Sequence, residues 1–264
     1  MITIIEFLTF LWYTIGYINM LDHKKISIIF PCKNEEKIIG SILSKIPKFI
    51  DQIIVVDNRS TDKTYFVAKK NKAEVYKENR HIKGIGYGYA IQTGIKKAHG
   101  DYIILMDGDK TYSMKYIRKI INYMEKQRVG FVSCNRFPLS DWKNMSPVRY
   151  LGGLFLTKLA NILFNLKIKD ILSGMWIFRK DIIPYLNLEP GDWNLSISIK
   201  ISAALNPKIK FHEYHIYYHD RKFGNSKQSL INTGFSHLKF LLKLKYYQLL
   251  KPVYQTKRIF RLNI

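Results

Sequence analysis

The chain has 264 residues, enough for one large domain or one domain with an appendage. Hydrophobic residues make up 47% and aromatics 14%, which supplies a sizeable core and excludes general disorder. The 43 Lys and Arg against 20 Asp and Glu give a formal charge of +23, which calls for a polyanionic partner or an anionic surface.

All 43 basic residues lie after position 23. Residues 1–23 are strongly apolar from Ile2 to Met20 but carry Glu6, Thr3, Thr9, Thr14 and Asn19. A span needs about 20 predominantly apolar residues, so this helix reads either as a membrane anchor or as an interfacial helix. No positive region precedes it, which argues against a secretory signal. If it spans, Lys24 and Lys25 keep the rest of the chain cytoplasmic.

Ile26 to Phe30 is a β-branched run closed by Pro31 and reads as a strand. Glu35 to Ile46 has helical periodicity and stops at Pro47. Ile53 to Val56 is a second buried strand, Asn58 to Asp62 a turn, and Thr61 or Asp62 a cap for a helix ending near Asn71. Ala73 to Tyr76 reads as a short third strand, Gly88 to Ala98 as a helix, and Tyr102 to Met106 as a fourth strand. This alternation predicts an α/β fold with a doubly wound, mostly parallel sheet.

Phe131 to Cys134 reads as a further strand, opened by Gly130. Pro147 to Asn165 is a helix apolar on nearly every side, which belongs either in a core or against lipid. The segment Lys210 to Tyr218 is a strand; His212, His215 and His219 on or beside it lack the spacing of a helical zinc pair. Cys32 and Cys134, the two cysteines, give no disulfide framework and no zinc spacing, the usage of a reducing compartment. In the tail, Leu238 to Tyr247 interleaves lysines with large apolar residues, the pattern of a basic amphipathic helix on a membrane surface.

The chemistry concentrates at strand ends. Asp107-Gly108-Asp109 follows the fourth strand directly, and ligand sites of open α/β sheets lie at the carboxyl ends of strands. Two carboxylates there suit a hard divalent cation shared with a diphosphate. Pro31 to Glu35 follows the first strand, and Asp57 ends the second, facing the same crevice; taken alone, Asp57 reads as turn chemistry. Lys83 to Gly88 lacks the spacing of a dinucleotide loop and reads as a loop supporting a donor. His219 to Lys227 is a cationic turn suited to a diphosphate leaving group, or else a solvated loop.

These markers together resemble the inverting family-two glycosyltransferases of the GT-A fold, closest to dolichyl- or polyprenyl-phosphate mannose and glucose synthases. They are Pro31, Asn34 and Glu35; the run from Val56 to Asp62; Gly86-Tyr87-Gly88 with Ala90; the run from Asp107 to Tyr112; Ser173-Gly174 after Asp170; and Arg221 to Lys227. The resemblance covers about Lys25 to Leu242. It implies that Pro31, Asn34, Glu35 and Asp57 hold the nucleoside of an NDP-sugar, with Gly86 and Ser173 also in the substrate site. Asp107 and Asp109 would bind the sugar and Mg²⁺ or Mn²⁺, with Thr111 near the metal. Arg136 and Arg149 would take the acceptor phosphate, while Arg221, Ser226 and Lys227 close over the diphosphate; Asp107, Asp109 and Arg221 would be the catalytic groups.

The implied reaction moves mannose or glucose from a GDP- or UDP-sugar to a polyprenyl or dolichyl phosphate at the cytoplasmic membrane face. The implied layout is an N-terminal helix over 1–23, a transferase domain over 24–228 with an interface helix near 147–165, and a basic membrane-interface tail over 229–264. An anionic membrane surface is the expected partner of the positive charge, and a homo-oligomer stays open. Three departures stand out: Asn58 replaces a frequent acid, Lys33 replaces a frequent aromatic, and residues 192–196 lack the usual acidic pair, leaving any general base unassigned. Another acceptor within the fold is a saccharide or lipid-linked glycan, which would want such a base. A nucleic-acid-binding protein is the reading from a different class; it leaves the apolar helix after Pro147 unexplained, and no nucleic acid partner is expected.

Overall fold

The computed structural model describes Glu6, residues 24–219 and residues 228–250. The expectation of an N-terminal apolar helix over 1–23 therefore lies outside the described residues, Glu6 apart. Among the described residues no helix is long and apolar enough to cross a membrane.

Seven strands form one sheet in the order β3-β2-β1-β4-β6-β5-β7. They are β1 (Ile26–Cys32), β2 (Gln52–Asp57), β3 (Glu74–Lys77), β4 (Tyr102–Leu105), β5 (Phe131–Asn135), β6 (Trp176–Arg179) and β7 (Phe211–His215). The helices are α1 (Glu36–Leu43), α2 (Thr64–Lys70), α3 (Tyr87–Lys97), α4 (Ile117–Gln127), α5 (Pro147–Phe164), α6 (Leu195–Leu205) and α7 (Leu230–Leu250).

β1, β2, β3 and β4 pair in parallel, as the βαβ alternation predicts. β6 is antiparallel to both β4 and β5, and β5 is parallel to β7. The sheet is thus mostly parallel, with one reversed strand that the sequence pattern did not announce.

Residues alternate between its two faces. Ile28, Phe30 and Ile104 pack with Ile38, Ile39 and Ile42 of α1, Ala68 of α2 and Ile120 of α4. Ile29, Ile103 and Leu105 pack with Ala90, Ile91 and Ile95 of α3 and with Leu195 and Ile199 of α6 on the other face. A third cluster joins Leu156, Ala160 and Phe164 of α5 to Leu241 of α7 and to Ile197 and Ile201 of α6. The Pro147–Asn165 segment therefore resolves into one buried side, while Val148, Leu151, Phe155 and Ile162 stay exposed.

The turn after β2 sets two helix starts. Asp62 accepts from the backbone N–H of Thr64 (2.9 Å) and of Glu36 (3.1 Å), so one carboxylate caps the starts of α2 and α1 together. Burial raises the Asp62 pKa, but these hydrogen bonds outweigh it and the net direction is down.

Gly94 brings α3 against β1, and a methyl group there would collide with Cγ2 of the fully buried Ile29. Gly94→Ala should therefore lower stability. Overpacking costs about 1–3 kcal/mol, against about 1 kcal/mol gained in helix propensity. Thermal unfolding of the two proteins checks this; an unchanged or higher midpoint would contradict the packing argument.

Candidate active site

The carboxyl ends of β1, β2, β4 and β5 meet along one sheet edge, with Cys32 opposite Asp57 and Ile29 opposite Leu105. Because β6 runs the other way, the chain leading into it, residues 170–175, reaches the same edge. A cavity of about 380 Å³ opens there. Of the expected site residues, Pro31, Glu35, Gly86, Asp107, Asp109, Arg136 and Arg149 line it.

Tyr87, the first residue of α3, donates from its hydroxyl to Oδ1 of Asp107 (2.9 Å). Burial and then the Asp107 charge push the Tyr87 pKa well up, so it remains a donor. The face of Gly174 lies against the Asp107 carboxylate, where a side chain would collide. Gly174 N–H donates in turn to the Tyr112 hydroxyl (2.7 Å). Thr111 donates to Oδ1 of Asp109 from its hydroxyl (2.7 Å) and backbone N–H (3.1 Å). Both aspartates are thus oriented by neighbours.

Thr111, Asn34, Asp57 and Ser173 do not line the cavity. Asn34, at φ 54°, accepts from the Thr61 N–H (2.8 Å), and Asp57 from the Ser60 N–H (3.1 Å), so both shape the turn after β2. Ser173 donates from its hydroxyl to the Cys134 carbonyl. Arg221, Ser226 and Lys227 lie outside the described residues. His212 lies with Tyr123, and His215 Nδ1 is 3.2 Å from Asn135 Oδ1, so both have structural partners.

Arg136 sits in a bidentate pair with the fully buried Asp170, at 2.7 and 2.9 Å. Its guanidinium lies 5.2 Å from the Tyr218 ring centroid, in cation–π range. Burial raises the Asp170 pKa, but the Arg136 charge and hydrogen bonds overcome it and the carboxyl ends below its ordinary value.

In the sequence Tyr87 and Tyr112 stand out only as motif members and Trp193 and Ser196 only as part of a departure, while Tyr218 and His237 take no site role; all six line the cavity. The Tyr87 and Trp193 rings pack with centroids 4.5 Å apart, tilted by 33°. His237 of α7 has Nδ1 2.8 Å from Asn194 Oδ1, and burial pulls its pKa down to about 4. Asp192 accepts from Nδ2 of the same Asn194 (3.0 Å), which turns the amide oxygen toward the imidazole.

The donor set suits a hard divalent cation. Burial and then four carboxylates, Glu35, Asp57, Asp107 and Asp109, raise the Cys32 thiol, which marks this end of the cavity as strongly negative. Among the described residues no three His, Cys, Asp or Glu side chains converge as a metal cluster. A cation held by Asp107 and Asp109 would draw its remaining ligands from a substrate diphosphate and water, as Mg²⁺ commonly does.

The fold is an open α/β sheet with its candidate site at the carboxyl ends of the parallel strands. The glycosyl transferase family 2 pattern matches residues 27–186, so the chain belongs to that family. The chain is 25% identical over 224 residues to the low-salt glycan biosynthesis hexosyltransferase Agl6 of Haloferax volcanii, covering 82% of this chain and 53% of that protein. It is 23% identical to a dolichyl-phosphate hexose transferase of the same organism, covering 70% of this chain and 77% of the relative. The chain thus spans about half the length of the first relative. Its fold matches a crystal structure of glucosyl-3-phosphoglycerate synthase from Mycobacterium tuberculosis in complex with Mn²⁺, UDP-glucose and phosphoglyceric acid. The TM-score is 0.65 at 17% identity, over 87% of this chain and 84% of that one.

Removing Asp170 leaves the buried Arg136 charge uncompensated, so Asp170→Ala should cost about 3–5 kcal/mol in urea unfolding at neutral pH. The pair also sets an acid limit. With its folded pKa depressed, Asp170 contributes fully above the unfolded value of about 3.9, and that contribution is lost as the pH falls through the folded value. The stability gap between wild type and Asp170→Asn should therefore shrink on acidification below about pH 4. A gap independent of pH would contradict the pair.

Proposed function

We propose that this chain transfers mannose or glucose, with inversion, from a GDP- or UDP-sugar to a polyprenyl or dolichyl phosphate at the cytoplasmic membrane face. One observation carries the reading: the cavity holding Asp107 and Asp109 is also lined by Arg136, by Arg149 of α5 and by His237 of α7. The outer sides of those two helices expose Val148, Leu151, Phe155 and Ile162, and Ile231, Phe235, Leu242, Tyr246 and Leu249. Lys158, Lys239 and Lys243 are exposed among them, a combination suited to an anionic bilayer surface. A phosphate carried at that surface reaches the arginines without leaving the lipid. The dolichyl-phosphate relative supports the acceptor class.

In this reading Pro31, Glu35 and Gly86 hold the nucleoside, while Asn34 and Asp57 keep the neighbouring turn in place. Asp107 and Asp109 hold Mg²⁺ or Mn²⁺, which supplies stabilisation of the charge on the departing diphosphate. Thr111 and Tyr87 fix the two carboxylates, and Ser173 and Gly174 fix the floor under Asp107. Arg136 and Arg149 orient the acceptor phosphate, and Arg221, Ser226 and Lys227 cover the donor diphosphate. The acceptor oxygen is already anionic, so no proton has to be removed. It bonds to the anomeric carbon as the bond to the diphosphate breaks on the opposite face, and catalysis is mostly positioning. A saccharide or lipid-linked glycan acceptor is the second reading. The imidazole of His237, kept neutral by burial, is the observation that favours it.

The test is transfer of radiolabelled hexose from GDP- and UDP-sugars to a short polyprenyl phosphate, with Mn²⁺ or Mg²⁺. We expect an organic-extractable product that falls by at least about 10²-fold in Asp109→Ala. Product on a soluble saccharide alone would move the assignment to the second reading. No turnover with any donor would overturn both.

A further inference from the structure

Lys200 is fully buried on α6, and the transfer chemistry described above makes no use of it. Its Nζ donates to the Ile171 carbonyl (2.8 Å), the Ser173 carbonyl (2.6 Å) and the Ser196 hydroxyl (3.3 Å). The Ser173 carbonyl accepts twice more, from Trp176 Nε1 (2.7 Å) and from the Ser196 hydroxyl (3.2 Å). One lysine thus ties a helix to the segment that enters β6. One residue further on, Gly174 packs against the Asp107 carboxylate and donates to Tyr112.

Charge adds to geometry. The Asp170 carboxylate is bidentately occupied by Arg136, which by itself would leave little positive field for an anionic acceptor. A second cation behind Asp170 restores it. Burial of an ammonium is unfavourable unless hydrogen bonds and opposite charge offset it, and here both are present.

We propose that Lys200 is a positioning residue of the transfer site. Its ammonium pins residues 171–174 beneath Asp107 and offsets Asp170, so that Arg136 presents net positive charge to the cavity. This rests on the transfer reading above.

Three acceptors surround Nζ, and only the ammonium has three hydrogens to give them. A neutral amine has two hydrogens for the two carbonyls and would take the Ser196 hydroxyl as a donor, drawing it off the Ser173 carbonyl. Burial, the largest influence, lowers the Lys200 pKa; Asp170 raises it, Arg136 lowers it, and Glu213 and the more distant Asp107 raise it, leaving it pulled down to about 7. Cys134 and His237 also feel its charge. The working form is protonated, so we expect the rate to fall as the pH rises through about 7.

The experiment compares full-length wild type, Lys200→Met and Lys200→Gln. It reads sugar transfer across pH, binding of UDP and GDP by calorimetry, and amide hydrogen exchange over residues 171–175. We expect the variants to keep nucleotide affinity, to lose roughly 10²-fold in turnover, to exchange faster over 171–175, and to lack the fall near neutrality. A variant slowed by one constant factor at every pH, with the fall intact, would overturn the proposal, as would wild-type kinetics in either variant. Should neither variant fold, a wild-type profile that is flat through neutrality overturns it, and a fall there supports it. If the wild type transfers to no lipid phosphate, the acceptor reading fails on its own. Donor hydrolysis across pH and the exchange rates then still decide the role of Lys200.

Discussion

The site depends on one reversal of direction. β6 runs antiparallel between β4 and β5, so its leading segment arrives where those strands deliver their carboxyl ends. Leu105 of β4 and Ser133 of β5 both stand opposite Trp176, the first residue of β6. Asp107 and Arg136 lie a few residues beyond their strands, and Asp170 to Gly174 lie just before Trp176. Three chain segments therefore converge without a long loop. The Arg136–Asp170 pair, the Ser173 contact with Cys134 and the packing of Gly174 on Asp107 all follow from that convergence. A parallel strand in this place would carry residues 170–174 to the opposite edge.

The two ends of the resulting cavity differ in charge. Near Cys32 four carboxylates set a negative field that suits a divalent cation with a diphosphate. Toward α5 and α7, Arg136 and Arg149 line the cavity and bring positive charge to that end. The two helices share a buried cluster on their inner sides and expose large apolar residues on their outer sides. Large exposed apolar patches of this kind mark protein or membrane interaction surfaces.

The parallel part of the sheet was legible in the sequence because strands buried on both faces are written as unbroken Ile, Val and Leu runs, as in Ile53 to Val56 and Tyr102 to Met106. Those runs also fixed the placement of Asp107, Asp109, Glu35 and Pro31. β6 escaped notice because Trp176–Arg179 is only 4 residues long and ends in a charged residue. The resemblance marks Ser173 and Gly174, but nothing local to them tells which strands they will face. Lys200 was silent, and the contacts of Tyr87 and Ser196 were too, since each reads as an ordinary helix residue until tertiary packing turns it toward the strand ends. The apolar character of Pro147–Asn165 was plain, but only the structure separates Leu156, Ala160 and Phe164 inside from Val148, Leu151 and Phe155 outside.

The central claim is that Asp107 and Asp109 form half of a cation site which a nucleoside diphosphate completes. Electron spin resonance of Mn²⁺ titrated into the protein, with and without UDP or GDP, tests it most directly. The account predicts weak binding of Mn²⁺ alone, one tight ion per chain once the matching nucleotide is present, and loss of that ion in Asp107→Asn. Tight Mn²⁺ binding without nucleotide, or a tight ion that survives Asp107→Asn, would contradict it.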